Sequence, residues 1–141
     1  MDTFNWSQED NKCFGCGDNP WGLKLEFEKD GDWMVAKPSL HCHYQGFKNS
    51  AHGGIIATLL DEAAAWAVMS KTGRLAPSFK LNCEFKKPVP LEEEITTRAK
   101  VLTQKHGVAK SRSEILDKSG NTLATARISS KILDRKIEAD S

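Results

Sequence analysis

From Ile55 to Met69 the chain is apolar at nearly every position, and the glycine pair Gly53-Gly54 stands directly before that run. Ile55, Ile56, Leu59, Leu60, Ala63, Ala64, Ala65, Trp66, Ala67, Val68 and Met69 leave only Thr58, Asp61 and Glu62 as polar interruptions. A helix apolar on nearly all sides has to be wrapped by other structure. The run is shorter than the roughly 20 residues that span a bilayer, and two acids sit in its middle, so no membrane helix is expected. The helix is predicted from about Gly53 to Lys71, with Gly73 as its stop.

Asp61 and Glu62 are the residues to question, because ionised carboxylates avoid apolar surroundings unless something compensates them. Thr58, Asp61, Glu62 and Ala65 share one helix face, and that face could simply be the solvated stripe. The chemical alternative starts from Gly53 and Gly54. The first backbone N–H groups of a helix lack intrahelical partners, and glycine lets a substrate approach them closely. A carbonyl placed there gains an oxyanion-type site without a metal. An acid two turns along could act on the carbonyl carbon or on a water beside it. Adjacent helix positions point about 100° apart, so only one of Asp61 and Glu62 is expected to face a given site.

Around this helix the pattern is that of strands. Leu23, Leu25 and Phe27 alternate with charged residues, Asp30-Gly31 makes a hairpin turn, and Trp33 to Ala36 returns as a second strand. Residues 39–51 are predicted as a loop. Phe79, Leu81, Cys83 and Phe85 alternate strictly with polar residues, and Pro88 and Pro90 stop that strand. Strands are expected over Ile95–Thr103, Val108–Leu116 and Thr122–Leu133, the last two joined by the loop Asp117–Asn121. Two strands, one long helix and four strands make an α+β domain with an antiparallel sheet around or against the helix. One domain of 141 residues is expected, with residues 1–12 as an N-terminal extension and 134–141 as a charged, fraying tail.

Charge excludes some classes of partner. A formal net charge of +1 argues for neither nucleic acid nor a membrane surface as partner. Basic residues nonetheless collect late in the chain, where Arg98 to Lys136 holds ten Lys or Arg against three acids. Lys110 and Arg112 share one strand face, and Arg127 and Lys131 share another. These faces are either a phosphate-binding patch or an ordinary solvated sheet surface. The acidic opening, Met1 to Asp10, is not a secretory leader, so a cytoplasmic protein with reduced thiols is expected. No Walker loop, Gly-x-Ser-x-Gly elbow or dinucleotide fingerprint is present.

The four cysteines are Cys13, Cys16, Cys42 and Cys83. Cys13 and Cys16 form a Cys-x-x-Cys, and His41-Cys42-His43 is the one other thiolate–imidazole cluster. Together they fall short of a closed zinc spacing, since successive residues of an extended tripeptide point to opposite sides. The alternative is a reduced, glycine-rich turn that packs the N-terminal segment on the sheet. No metal is assigned to the site.

His52-Gly53-Gly54, followed by an apolar helix with Asp61 nine residues after the histidine, resembles the hotdog-fold acyl-CoA thioesterases. The branch it looks most like is the one related to phenylacetate-pathway enzymes. Cys13-Phe14-Gly15-Cys16-Gly17 with Asn19-Pro20-Trp21-Gly22-Leu23 resembles the N-terminal signature of that branch. So do the turn Tyr44-Gln45-Gly46-Phe47 and the strand from Ser78 to Pro90, and the likeness covers roughly residues 13–133. It implies a curved sheet of about six strands wrapped around one long central helix. It also implies protomers paired edge to edge, as a homodimer or dimer of dimers, with active sites at the interface.

What the resemblance implies for chemistry is hydrolysis of acyl-CoA without a cofactor. Gly53 and Gly54 N–H groups polarise the thioester carbonyl, and Asp61, from the partner's helix, is general base or nucleophile. His52 either orients the turn and bonds near the thioester or is only a capping residue. Ser78 stands where relatives hold the attacking water with a serine, and could equally be a polar strand start. Several relatives carry Asn or Gln six residues before the histidine. Gly46 occupies that place here, with Gln45 and Asn49 as possible substitutes. Phe47, Trp66 and Phe79 suit a hydrophobic acyl group, or belong to the core. The alternative function on the same fold is a non-catalytic acyl-CoA binding or sensing protein.

Overall fold

The computed structural model describes residues 12–136. The extension expected over 1–12 lies outside them except for Lys12, and the tail expected over 134–141 enters them only as far as Lys136. The elements are β1 (Glu28–Asp30), β2 (Trp33–Ala36), α1 (Gly53–Thr72), β3 (Ser78–Phe85), β4 (Thr96–Lys105), β5 (Val108–Leu116) and β6 (Thr122–Lys131). All strand pairs are antiparallel, in the order β1-β2-β4-β5-β6-β3. The curved six-stranded sheet wraps the one long helix among the described residues, which is the hotdog arrangement.

The helix is buried because small residues let the sheet close on it. Leu59, Leu60, Ala63, Ala64 and Val68 are fully enclosed, against Ala99, Ala109, Ser111 and Ser113 of the sheet. Two sheet hydroxyls also reach helix carbonyls: Thr97 Oγ1 donates to Leu59 O at 3.1 Å and Ser113 Oγ to Leu60 O at 2.7 Å. Gly73 ends the helix in the left-handed conformation (φ 68°), and its N–H donates to Met69 O.

The structure departs from the sequence expectation in four places. Leu23 to Phe27 forms no strand ladder. Lys24 has a positive φ of 51°, and the Leu23 and Leu25 N–H groups donate to Phe14 O and Gly15 O instead. The segment therefore serves the Cys13–Cys16 turn. Second, β3 is an edge strand that the helix does not cover, so Phe79, Leu81 and Phe85 are exposed. Third, β4 runs on past the expected end at Thr103 to Lys105, and His106-Gly107, both at positive φ, closes a two-residue hairpin to β5. Fourth, the start of the expected tail is tied down. Arg74 pairs with Asp134 at 2.6 Å, and Leu75 exchanges backbone hydrogen bonds with Leu133 and Arg135.

Candidate active site

The helix start is built by His52, which caps α1 from an extended backbone (φ −60°, ψ 140°). Its Nδ1 accepts from the Gly54 N–H at 2.9 Å. An accepting Nδ1 leaves the neutral ring's proton on Nε2. The capping role and the glycine pair thus meet in one bond, which commits the Gly54 amide. The Gly53 N–H, one residue earlier, has no hydrogen-bond partner among the described residues.

The loop ahead of His52 is tight. A Cβ on Gly46 would stand 2.8 Å from His52 Cα, so this backbone leaves no room for a side chain at that place. Gln45 Oε1 accepts from the Asn49 N–H at 3.1 Å, and Asn49 has a φ of 63°. The two possible substitutes therefore bind each other to close the loop. Phe47 at its tip is 90% exposed.

Asp61 is half-buried, and the Ser78 hydroxyl donates to its Oδ1 at 2.6 Å. The sequence singled out both residues; the structure joins them directly. It adds Cys83, whose thiol is pushed up by burial and then by the Asp61 charge. In register, Leu81, Cys83 and Phe85 stand beside Ile128, Ala126 and Ala124, all buried. Those residues face the helix, so Leu81, Cys83 and Phe85 line the same side of the sheet. Phe85 closes the far end, with its ring 3.9 Å from where a Gly53 Cβ would be. An apolar strip thus runs along β3 from Asp61 to the helix start. Cys83 was legible in the sequence only as one more inward position of an alternating strand.

Within one chain these parts do not converge on a single carbonyl. Gly54 and Asp61 are seven residues apart, about 10.5 Å along the axis at 1.5 Å per residue. That separation is several times a hydrogen-bond length, so an acid two turns along the same helix does not reach a carbonyl held at its start.

Glu62 turns the other way. The Cys13 thiol donates to its Oε1 at 3.5 Å, and its carboxyl is raised above the usual range, chiefly by burial. Cys16, on the same turn, is raised by burial and by the Glu62 charge. The Cys13–Cys16 turn packs on the helix through Glu62. His41-Cys42 gathers separately with Glu92, so the two cysteine motifs do not form one cluster.

Lys110 and Arg112 are exposed on β5 while Ser111 and Ser113 between and beside them are buried toward the helix. They therefore point to the sheet face opposite Asp61. Arg112 stands between Lys100 and Arg127 in register, so basic residues placed on different faces by the sequence form one row. Glu114 offsets this like-charge row by pairing with Arg98 and with Arg112 at 3.7 Å.

Comparison with known proteins now has a fold and a site to refer to. A family model described as the thioesterase superfamily matches residues 48–124, more than half of the chain. No curated protein matches it by sequence. Among solved structures, the E. coli PaaI protein from the phenylacetic acid degradation operon is 24% identical, with a TM-score of 0.75, 82% of this chain and 84% of that one covered. Zebra fish thioesterase superfamily member 2 is 23% identical, with a TM-score of 0.72 and coverage of 82% and 89%. A hypothetical thioesterase from Streptococcus pneumoniae, solved with coenzyme A, is 17% identical, with a TM-score of 0.72 and coverage of 81% and 91%. The match spans the glycine pair, the whole helix with Asp61, and the strand that carries Ser78, and the chain belongs to the thioesterase superfamily.

Proposed function

We propose that this protein hydrolyses acyl-CoA thioesters to free acid and CoA, in a site shared between two copies of the chain. The observation that carries the proposal is the Ser78–Asp61 hydrogen bond, set at one end of an apolar strip that ends beside Gly53. One copy supplies Gly53, whose N–H receives the thioester carbonyl oxygen, with His52 fixing the turn. The second copy supplies Asp61, oriented by Ser78. The helical separation of these parts within one chain supports the shared site, as does the exposed apolar edge strand β3. A homodimer, or a dimer of such dimers, covers that edge. The acyl group lies along Leu81, Cys83 and Phe85. The CoA-bound structural neighbour supports the choice of thioester.

In the general-base course, Asp61 takes a proton from water as the oxygen attacks the carbonyl carbon. The negative charge gathers on the carbonyl oxygen at Gly53 N–H. The C–S bond then breaks, and the departing CoA sulfur takes up the proton. In the nucleophilic course, Asp61 itself attacks the carbonyl carbon, the CoA sulfur departs and takes up a proton, and water then resolves the anhydride. Label on Asp61 after a single turnover in ¹⁸O-water would establish the nucleophilic course with water attacking the Asp61 carboxyl carbon.

The test is thiol release from a panel of short, long and aryl acyl-CoAs. Asp61→Asn should abolish turnover while leaving saturable acyl-CoA binding. Gly53→Pro removes the proposed donor and keeps the helix start. Proline suits the first helical position, and the extended His52 suits the residue before it. Its kcat should fall about 10²–10³-fold. Saturable binding without turnover in the intact protein would leave the binding or sensing function. Neither binding nor turnover would overturn both.

A further inference from the structure

We infer that Cys13, Cys16 and Glu62 form a site for one thiophilic divalent cation, zinc by its ligand set, that clamps the N-terminal turn to the central helix. Their ligand atoms, two Sγ and a carboxylate oxygen, all lie within 4.8 Å of one another. Zn–S bonds of about 2.3 Å and Zn–O bonds of about 2.0 Å at a tetrahedral angle place neighbouring sulfur and oxygen about 3.5 Å apart. Cys13 Sγ and Glu62 Oε1 are 3.5 Å apart. Three protein ligands leave the fourth position to solvent, which reaches all three half-buried residues.

The turn is built to bring these groups together. Gly17 N–H donates to Cys13 O at 2.9 Å, and the Leu23 and Leu25 amides fix Phe14 O and Gly15 O. Gly15, between the cysteines, is where the Glu62 side chain passes; any Cβ there would overlap it. Glu62 has no Lys, Arg or His in ion-pair range among the described residues, so a bound cation would be its counter-charge. The Trp66 indole N–H, one turn along the helix from Glu62, is buried and has no hydrogen-bond partner among the described residues. By contrast, the His41, Cys42 and Glu92 group is wholly exposed, and Glu92 Oε1 and His41 Nδ1 already accept from the Cys42 and His43 N–H groups.

The experiment is metal analysis of the full chain after zinc loading and gel filtration, with cobalt substitution as an independent probe. The intact protein should retain about one zinc per chain, and its cobalt form should show thiolate-to-cobalt charge transfer and the intense visible bands of a tetrahedral ion. Cys13→Ser/Cys16→Ser should lose both signals. Glu62→Gln, which keeps the side-chain shape, should weaken zinc at least about 100-fold against a competing chelator. Cys42→Ser should bind as the intact protein does. Circular dichroism identifies any variant that fails to fold; the cobalt spectrum of the intact protein stands regardless. No metal retained and no cobalt–thiolate band would overturn the site. So would binding that Cys42→Ser abolishes and Cys13→Ser/Cys16→Ser spares. Thioester turnover enters none of these readouts.

Discussion

Asp61 acts on its surroundings through charge as well as through hydrogen bonding, and Cys83 reports it. Burial is the larger reason the Cys83 thiol is raised, and the Asp61 carboxylate is the second. Removing that charge lowers the thiol's pKa and raises the thiolate fraction at fixed pH. Asp61→Asn should therefore speed alkylation of Cys83 about two- to fivefold, read by mass spectrometry of the labelled peptide. An unchanged rate would place the two groups out of electrostatic reach. At this scale the sequence was half legible. His52, Gly53, Gly54 and Asp61 lie on one short stretch, so spacing on a helix could relate them. The Ser78–Asp61 and Cys13–Glu62 bonds join residues 17 and 49 positions apart, and no local periodicity encodes such pairings. Nor could spacing reveal that the Gly54 amide is already taken by His52.

At the scale of elements, the helix owes its burial to small side chains and its sharp end to Gly73. At a φ of 68° an alanine is strained, so Gly73→Ala should cost about 1 kcal/mol in urea denaturation without altering thioester turnover. No loss of stability would mean the helix end relaxes freely. The helix, its stop and five of the strands were readable because period and turn residues agree there. The strand β3 shows where period two runs out. Alternation correctly gives a strand, yet says nothing of its place at the sheet edge, where the helix does not cover its apolar face. The segment from Leu23 to Phe27 fails for the converse reason. Leu25 and Phe27 are buried as alternation requires, but the Leu23 and Leu25 amides are spent on the neighbouring turn.

For the whole molecule, the question is how many chains make one working site. If Gly53 and Asp61 act from different chains, two inactive variants should rescue each other. Asp61→Asn mixed with Gly53→Pro gives mixed dimers carrying one site with both lesions and one with neither. With random exchange about a quarter of full activity should return. A mixture that stays inactive after proven subunit exchange would put both groups in one chain's site. The basic row of Lys100, Arg112 and Arg127 lies on the opposite sheet face, so charge counts along the sequence could not say which side of the molecule they serve.

If the site is shared between two chains, the length of helix between Gly54 and Asp61 also has a kinetic consequence. A catalyst assembled from two halves obeys mass action in itself as well as in its substrate. Diluted below the dissociation constant of the pair, turnover per chain should fall in proportion to concentration, so the total rate scales with its square. The amount of protein a cell makes would then set not only how much activity there is but whether there is any.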